Sequence, residues 1–381
     1  MAYRRPVGVT VYKKGVAYEG YTLYTPLRGD GTVYLIDMEG RVVHSWKFPY
    51  PGNIARLLPN GNLLFDGVTE AGISTGPFAA GGKTGVVIEA SWDGEILWEY
   101  KNPTLHHDCF RMSNGNTLMI CWEKVPEEIA SRVKGGISPE WELKEKTAKE
   151  LRDKTLWSDK IIEVDKNGKV VWEWHAYEHL DPEKDVICPL CRRYEWTHCN
   201  SVFETKNGDI LTSFRPIDTV AIIDKKSGNF KWKWGRGFIK HPHNPTELEN
   251  GNILIFDNGT HIPEEMPRSR VVEVDPKENK IVWEYSDKEN YLGFYSHAVS
   301  GAQRLPNGNT LICEGNRGRI FEVTPEKEIV WEYYNPHKGM KLDKFNVYTM
   351  RLMRLGYASG TRYDVARAYR YGLDYPGLKN L

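Results

Sequence analysis

Six of the chain's 11 histidines fall in one narrow band, seven to ten residues ahead of an Asn-Gly pair. Counting back from the Asn of five such pairs, the seventh position holds Asn53, His107, Asn200, His243 and Ser300. The ninth holds His198 and His241, on the same face of a strand by its period of two, and His106 and His297 fall near the same level. An imidazole titrates near neutrality, attacks electrophiles through a neutral ring nitrogen, and binds metals. A single histidine at a strand start can equally do no more than hydrogen-bond a neighbouring loop. Repetition is what separates this set from that ordinary role.

The elements that must position these side chains are legible as a repeat. The five pairs, Asn60-Gly61, Asn114-Gly115, Asn207-Gly208, Asn250-Gly251 and Asn307-Gly308, each sit between short apolar runs. That pattern predicts hairpins with type I′ turns, in which both central residues need positive φ. An aliphatic-aromatic strand follows each at a variable gap: Val170-Val171-Trp172-Glu173-Trp174, Phe230-Lys231-Trp232-Lys233-Trp234, Ile281-Val282-Trp283-Glu284-Tyr285 and three more like them. Two hairpins per unit of roughly 50 residues predict an all-β, six-bladed β-propeller, read as a single domain over 1–381. The unit lacking its Asn-Gly pair spans the chain ends, and Val9 to Leu27 are expected to close the ring with the last blade. In such a fold the first strand of each blade faces a central channel, where the histidines would meet. The repeated Trp residues are assigned to packing between blades.

Two stretches break the repeat. Residues from about 123 to 159 are rich in Glu and Lys at helical spacing and predict a helical insertion. Residues from about 335 to 381 show no repeat signature and read as an irregular extension that caps a blade or meets another subunit in a homo-oligomer.

Composition narrows the partners. Lys plus Arg and Asp plus Glu both number 51, so the formal net charge is zero, which argues against nucleic acid or an anionic membrane surface. No apolar run approaches the roughly 20 residues of a membrane helix, and no secretory signal is seen, so a cytoplasmic location is expected. Neither a phosphate-cradling Gly-rich loop nor a dinucleotide fingerprint is present, and nucleotide cofactors are not expected. The six Cys, 109, 121, 188, 191, 199 and 313, form no disulfide framework. Cys188-Pro189-Leu190-Cys191 is a weak zinc signal, with Cys199 or His198 as a third ligand. Cys199, one residue from His198 and so on the opposite face, reads as packing between blades.

Three chemistries remain open from the residues alone. The channel can bind an anionic or aromatic small molecule, with Arg215 near its mouth and Trp196 and Tyr295 able to stack on a ring or simply to pack. It can hold a divalent metal such as Zn or Mn on His107, His198, His243 and His297, giving a metal-dependent lyase or hydrolase. Or the propeller is a non-catalytic interaction platform.

Trp196-Thr197-His198-Cys199-Asn200-Ser201-Val202, Ser213-Phe214-Arg215, Ile222-Ile223-Asp224, Phe256-Asp257-Asn258-Gly259, Ser269-Arg270-Val271-Val272-Glu273 and Val282-Trp283-Glu284-Tyr285, in that order, resemble the arylsulfotransferase (arylsulfate sulfotransferase) family. The resemblance runs from about Tyr194 to Tyr334. It implies a six-bladed propeller in which a histidine is transiently sulfated by an aryl sulfate and passes the group to a phenol, with no cofactor. It carries His198 and His243 over as active-site positions, and it places the family's nucleophile in the last blade, where His297 is the histidine ahead of the tail. His107 joins them as a catalytic candidate by position. Asn200, Arg215, His241, Trp196 and Tyr295 are candidates for substrate binding. The family tends to have an arginine after the segment ending at Gly259; here Thr260-His261-Ile262 follows, so His261, Arg268 or Arg270 would serve instead.

Overall fold

The computed structural model describes residues 6–77, 81–137, 155–262, 266–287, 293–339 and 363–381. Among the described residues its strands form six antiparallel blades, five of four strands and one of five, in the six-bladed β-propeller class. The second to sixth blades follow the chain: Gly52–Leu57 to Ile96–Lys101, Leu105–Arg111 to Val170–His175, Cys199–Glu204 to Phe230–Trp234, Pro242–Glu247 to Lys280–Tyr285, and Gly301–Arg304 to Ile329–Tyr334. They divide between two compact units. Met1–Thr69, Val87–Tyr100 and Ala298–Leu381 hold the sixth, first and most of the second blade; Glu70–Val86 and Lys101–His297 hold the third, fourth and fifth. Among the described residues no helix is long and apolar enough to cross a membrane.

All five Asn-Gly pairs lie in hairpin turns, but with a geometry different from the expected one. Only the Gly takes positive φ, as at Gly61 (89°) and Gly115 (85°), while the Asn does not. The Asn spends its side chain instead: Asn60, Asn114, Asn250 and Asn307 each accept, through Oδ1, the backbone N–H two residues on. This local bond stabilises a turn with one left-handed residue, so the mirror-image turn is not needed. The residue after the Gly then ties the hairpin to its sheet. Asn62, Asn116, Asn252 and Asn309 donate from Nδ2 to Glu89, Glu163, Glu273 and Glu322 on the third strand of the same blade, at 2.5 to 2.7 Å. In the fourth blade Asp209 replaces the Asn and pairs with Lys231 at 2.8 Å.

The outer-strand tryptophans join consecutive blades. Trp46 donates its indole N–H to Ser91 O, Trp172 to Lys225 O, Trp174 to Gly228 O, Trp232 to Asn279 Oδ1 and Trp331 to Met38 O. Each acceptor lies in the outer turn of the next blade; Trp46, Trp174 and Trp331 are buried with their one polar atom satisfied, while Trp172 and Trp232 are half-buried.

The chain ends complete two blades rather than one. Gly8–Tyr12 adds a fifth strand at the edge of the sixth blade, against Ile329–Tyr334, as expected for part of the N-terminal segment. Gly20–Pro26, in contrast, is the second strand of the first blade, and the strand in the innermost position there is Val365–Gly372. The stretch read as an irregular extension therefore contributes a regular strand. Its buried alternation is masked in sequence by Arg367 and Arg370, both buried, where apolar residues would be looked for. Arg370 donates to Thr22 Oγ1 (2.7 Å) and Tyr18 O (2.6 Å), lies 3.4 Å from Glu322 and stands over the Trp331 ring. Within the expected helical insertion, the described part contains one helical turn, Glu127–Ala130, and a short strand, Gly135–Ile137, parallel to Ile187–Arg192; residues 138–154 lie outside the described residues.

The buried Glu322–Arg370 pair sets a stability expectation. Glu322→Ala leaves a fully buried guanidinium without its counter-charge and should lower unfolding free energy by about 3–5 kcal/mol in a guanidinium titration. Glu89→Ala, which removes the acceptor of the Asn62 amide without stranding a buried charge, should cost about 1 kcal/mol.

Candidate active site

The third, fourth and fifth blades form one unit in which the first strands of successive blades lie against one another. Each of these strands is irregular at its start, with the ladder shifting register at Met119/Cys121, Cys199/Ser201 and His243/Thr246. At or just ahead of the kinks His107, His198 and His241 take left-handed φ of 63°, 42° and 57°. Such backbone costs about 1–3 kcal/mol per residue and persists only where its surroundings hold it. The kinks also end the strict two-residue alternation from which the histidines were placed on a common face.

His198 is the most elaborately supported. Its Nδ1 donates to the carboxylate of Glu195, and both side chains are nearly buried. A carboxylate only accepts, so the neutral ring carries its lone pair on Nε2. Burial alone would push the Glu195 carboxyl up; His198, then Arg215 and Arg192, hold it below its ordinary value. Glu195 is fixed by the segment around it. Trp157 N–H donates to Tyr194 O, Trp196 N–H donates to Trp157 O, and the fully buried Trp196 indole donates to Asp185 O at 2.7 Å. Trp196 thus packs and anchors. The His107 ring stands edge-on to His198 at 4.4 Å, and Trp122 lies 5.6 Å from His198 while stacking on His106 at 3.8 Å. His106 Nδ1 and His107 Nδ1 are 2.7 Å apart, and His106 Nε2 lies 3.1 Å from Asp159, whose other oxygen accepts Cys199 N–H at 2.6 Å. Burial lowers the His106 pKa against the opposing pull of Asp159.

His243 is fixed in a similar way by a neutral partner. Asn258 donates from Nδ2 to Ser296 O (2.7 Å), which turns its Oδ1 toward His243 Nδ1 at 2.6 Å. His243 therefore also presents Nε2 as the lone-pair nitrogen when neutral. Asn200 links the two blades: it donates to Pro242 O at 2.8 Å and accepts from Ser213 Oγ at 2.7 Å.

The other candidates are distributed as follows. Arg270 is paired with Asp257 (2.7 Å) and Glu284 (2.8 Å) across its own blade. Tyr295 is half-buried, its hydroxyl 3.5 Å from Thr260 Oγ1. His297 is exposed in the segment after the fifth blade, with its carbonyl accepting from Thr260 Oγ1 at 3.1 Å. Cys199 is wholly buried with Sγ 2.9 Å from Thr212 Oγ1, as a packing residue would be. The Cys-x-x-Cys pair meets neither Cys199 nor His198. Its neighbours are His241 and His261, two residues read as substrate-binding, because strand Ile187–Arg192 runs beside the start of the fifth blade. Arg215 Nη1 stands 3.9 Å from Cys191 Sγ. Burial, then repulsion by Arg215, lowers His241 to about 3, leaving its ring neutral.

Glu195, Asp159 and Trp122 were not singled out from sequence. Glu195 stands only three residues from His198 and was within reach of inspection; the other two come from another blade and carry no local signal.

Six antiparallel blades with buried, carboxylate-supported imidazoles at strand starts define a β-propeller with the side chains of a group-transfer or hydrolytic enzyme. The model of the arylsulfotransferase (ASST) family matches residues 142–336, just over half of the chain, and the chain belongs to that family. The arylsulfate sulfotransferase AssT of Escherichia coli O6:H1 (strain CFT073) is 24% identical over 249 residues, covering 44% of this chain and 41% of the relative, so this chain matches less than half of that relative's length. A crystal structure of a protein of unknown function from Bacteroides caccae superposes with a TM-score of 0.53 over 92% of this chain and 98% of its own, at 14% identity, a likeness of fold.

Packing around His107 generates a test. Its N–H donates to Gly82 O at 2.7 Å, and a Cβ on Gly82 would come within 2.0 Å of the imidazole. Gly115, also left-handed, has nothing within 4 Å of such a Cβ. Gly115→Ala should cost about 1–2 kcal/mol for backbone strain alone, and Gly82→Ala about 1–3 kcal/mol more, compared by chemical denaturation.

Proposed function

We propose that the protein moves a sulfuryl group from an aryl sulfate to a phenolic acceptor through a covalent intermediate on His198. The observation that carries this reading is the buried Glu195–His198 dyad with His107 edge-on to it. Nε2 of neutral His198 attacks sulfur; the N–S bond forms, the sulfur–aryl oxygen bond breaks, and the electron pair leaves on the aryl oxygen. His107, entering as imidazolium, gives that oxygen its proton. Glu195 keeps Nδ1–H and offsets the positive charge that develops on the sulfated ring. In the second half the acceptor phenol passes its proton to His107 and its oxygen attacks sulfur, the N–S bond breaks, and His198 returns neutral. Arg215, and His243 when protonated on Nε2, supply cationic contacts to the sulfuryl oxygens, whose charge is spread over three atoms. Family membership supports the reaction class, and the tautomers imposed by Glu195 and Asn258 support imidazole nucleophiles.

A chromogenic aryl sulfate tests this directly. His198→Ala should lower turnover by about 10³-fold or more, and Glu195→Gln by about 10²-fold or more, both with melting curves close to the parent. Mass spectrometry of a neutral, rapidly proteolysed digest after incubation with donor alone should find the sulfuryl group on His198. A label on His107, His243 or His297, or turnover that survives His198→Ala, would reject the assignment.

A further inference from the structure

We propose that Cys188, Cys191, His241 and His261 bind one zinc ion, and that this ion fastens the non-repeat segment ahead of the fourth blade to the fifth blade. The four potential ligand atoms all lie within 4.8 Å of one another, and among the described residues this is the set of metal-binding side chains that gathers so. Cys188 Sγ is 3.5 Å from His261 Nδ1, Cys191 Sγ is 3.4 Å from His241 Nε2, and Cys191 Sγ is 3.7 Å from His261 Nδ1. With Zn–S near 2.3 Å and Zn–N near 2.0–2.1 Å, the sulfur-to-nitrogen edge of a tetrahedron is about 3.5 Å. The observed edges match it.

Donor chemistry selects the metal. Two thiolates with two imidazoles suit tetrahedral zinc, whereas manganese, calcium and magnesium prefer oxygen. Both sulfurs and the His241 ring are buried, and His261 is half-buried, so water competes poorly for the centre. Four protein ligands leave no open position, which makes the site structural rather than hydrolytic.

The placement explains what the ion does. Both cysteines sit on Ile187–Arg192, a strand outside the blades that, among the described residues, pairs with Gly135–Ile137. Both histidines belong to the fifth blade's first hairpin and the loop after it. His241 O also accepts from His243 Nδ1 at 3.1 Å, so the ion steadies the backbone that orients His243. The inference is independent of the sulfuryl-transfer reading.

The full-length chain, purified without chelators from zinc-supplemented cells, should contain one equivalent of zinc by elemental analysis. X-ray absorption should show two sulfurs near 2.3 Å and two nitrogens near 2.0–2.1 Å. The Cys188→Ser/Cys191→Ser double variant should lose at least nine-tenths of the metal, and His261→Ala most of it. The parent protein alone decides the matter if the variants fail to fold. Metal-free parent with free thiols, a Cys188–Cys191 disulfide in its place, or a zinc shell of nitrogen and oxygen only would each overturn the proposal. Aryl sulfate turnover is read separately, so loss of either result leaves the other standing.

Discussion

Hairpin register is the constraint on which the rest of the molecule depends. In four blades the Asn after the turn glycine reaches across to a glutamate on the third strand, and that short bond pins the first hairpin to its sheet. A slip of one residue would turn every side chain of the first strand to the opposite face. His107 and His243 lie seven residues ahead of such a turn, and His198 nine ahead of the fourth blade's variant, so a fixed register is what delivers them to the kinked strand starts. The Asp209–Lys231 pair serves the fourth blade with an ion pair in place of the amide.

Kinked starts convert a regular fold into a chemical one. A strand that continued its alternation would send neighbouring residues to opposite faces, and His106 and His107 could not both join one cluster. Left-handed backbone at His107, His198 and His241 breaks that alternation and lets consecutive side chains meet. Bulges and strained backbone of this kind concentrate at functional sites because packing elsewhere supplies the stability they lack. Here that packing includes the Trp196 indole anchored to Asp185 and the indole bridges from blade to blade. The Glu195 carboxylate then fixes one imidazole tautomer, and the Asn258 amide fixes another.

Much of this was readable from residues alone, for a physical reason. A propeller repeats, so each local signal is sampled several times: one Asn-Gly pair is a hairpin hint, and five at similar spacing are an architecture. The outer tryptophans were assigned to packing between blades and are found there. The turn type was misjudged because an Asn can satisfy a turn through its own side chain as well as through left-handed backbone, and the two options look alike in sequence. Val365–Gly372 was missed because its interior carries two buried arginines, Arg370 held by Thr22, Glu322 and Trp331 and Arg367 by the carbonyls of Ser300 and Ala366, and most of these partners are far away in sequence.

By itself the sequence determined the blade count, the hairpins, the interblade tryptophans and the level at which the histidines emerge, since all of these follow from periodicity and local turn chemistry. Tertiary structure alone decided which imidazoles meet which partners. His198 finds Glu195 nearby, but His106 finds Asp159 from 53 positions away, and Cys188 and Cys191 find His241 and His261 rather than Cys199. Contacts of that kind arise between strands far apart in the chain, within one blade for His106 and Asp159 and between the fifth blade and the segment ahead of the fourth for the cysteines. The distances that govern them are set by the summed twist and bulging of whole sheets, which no short stretch of chain encodes.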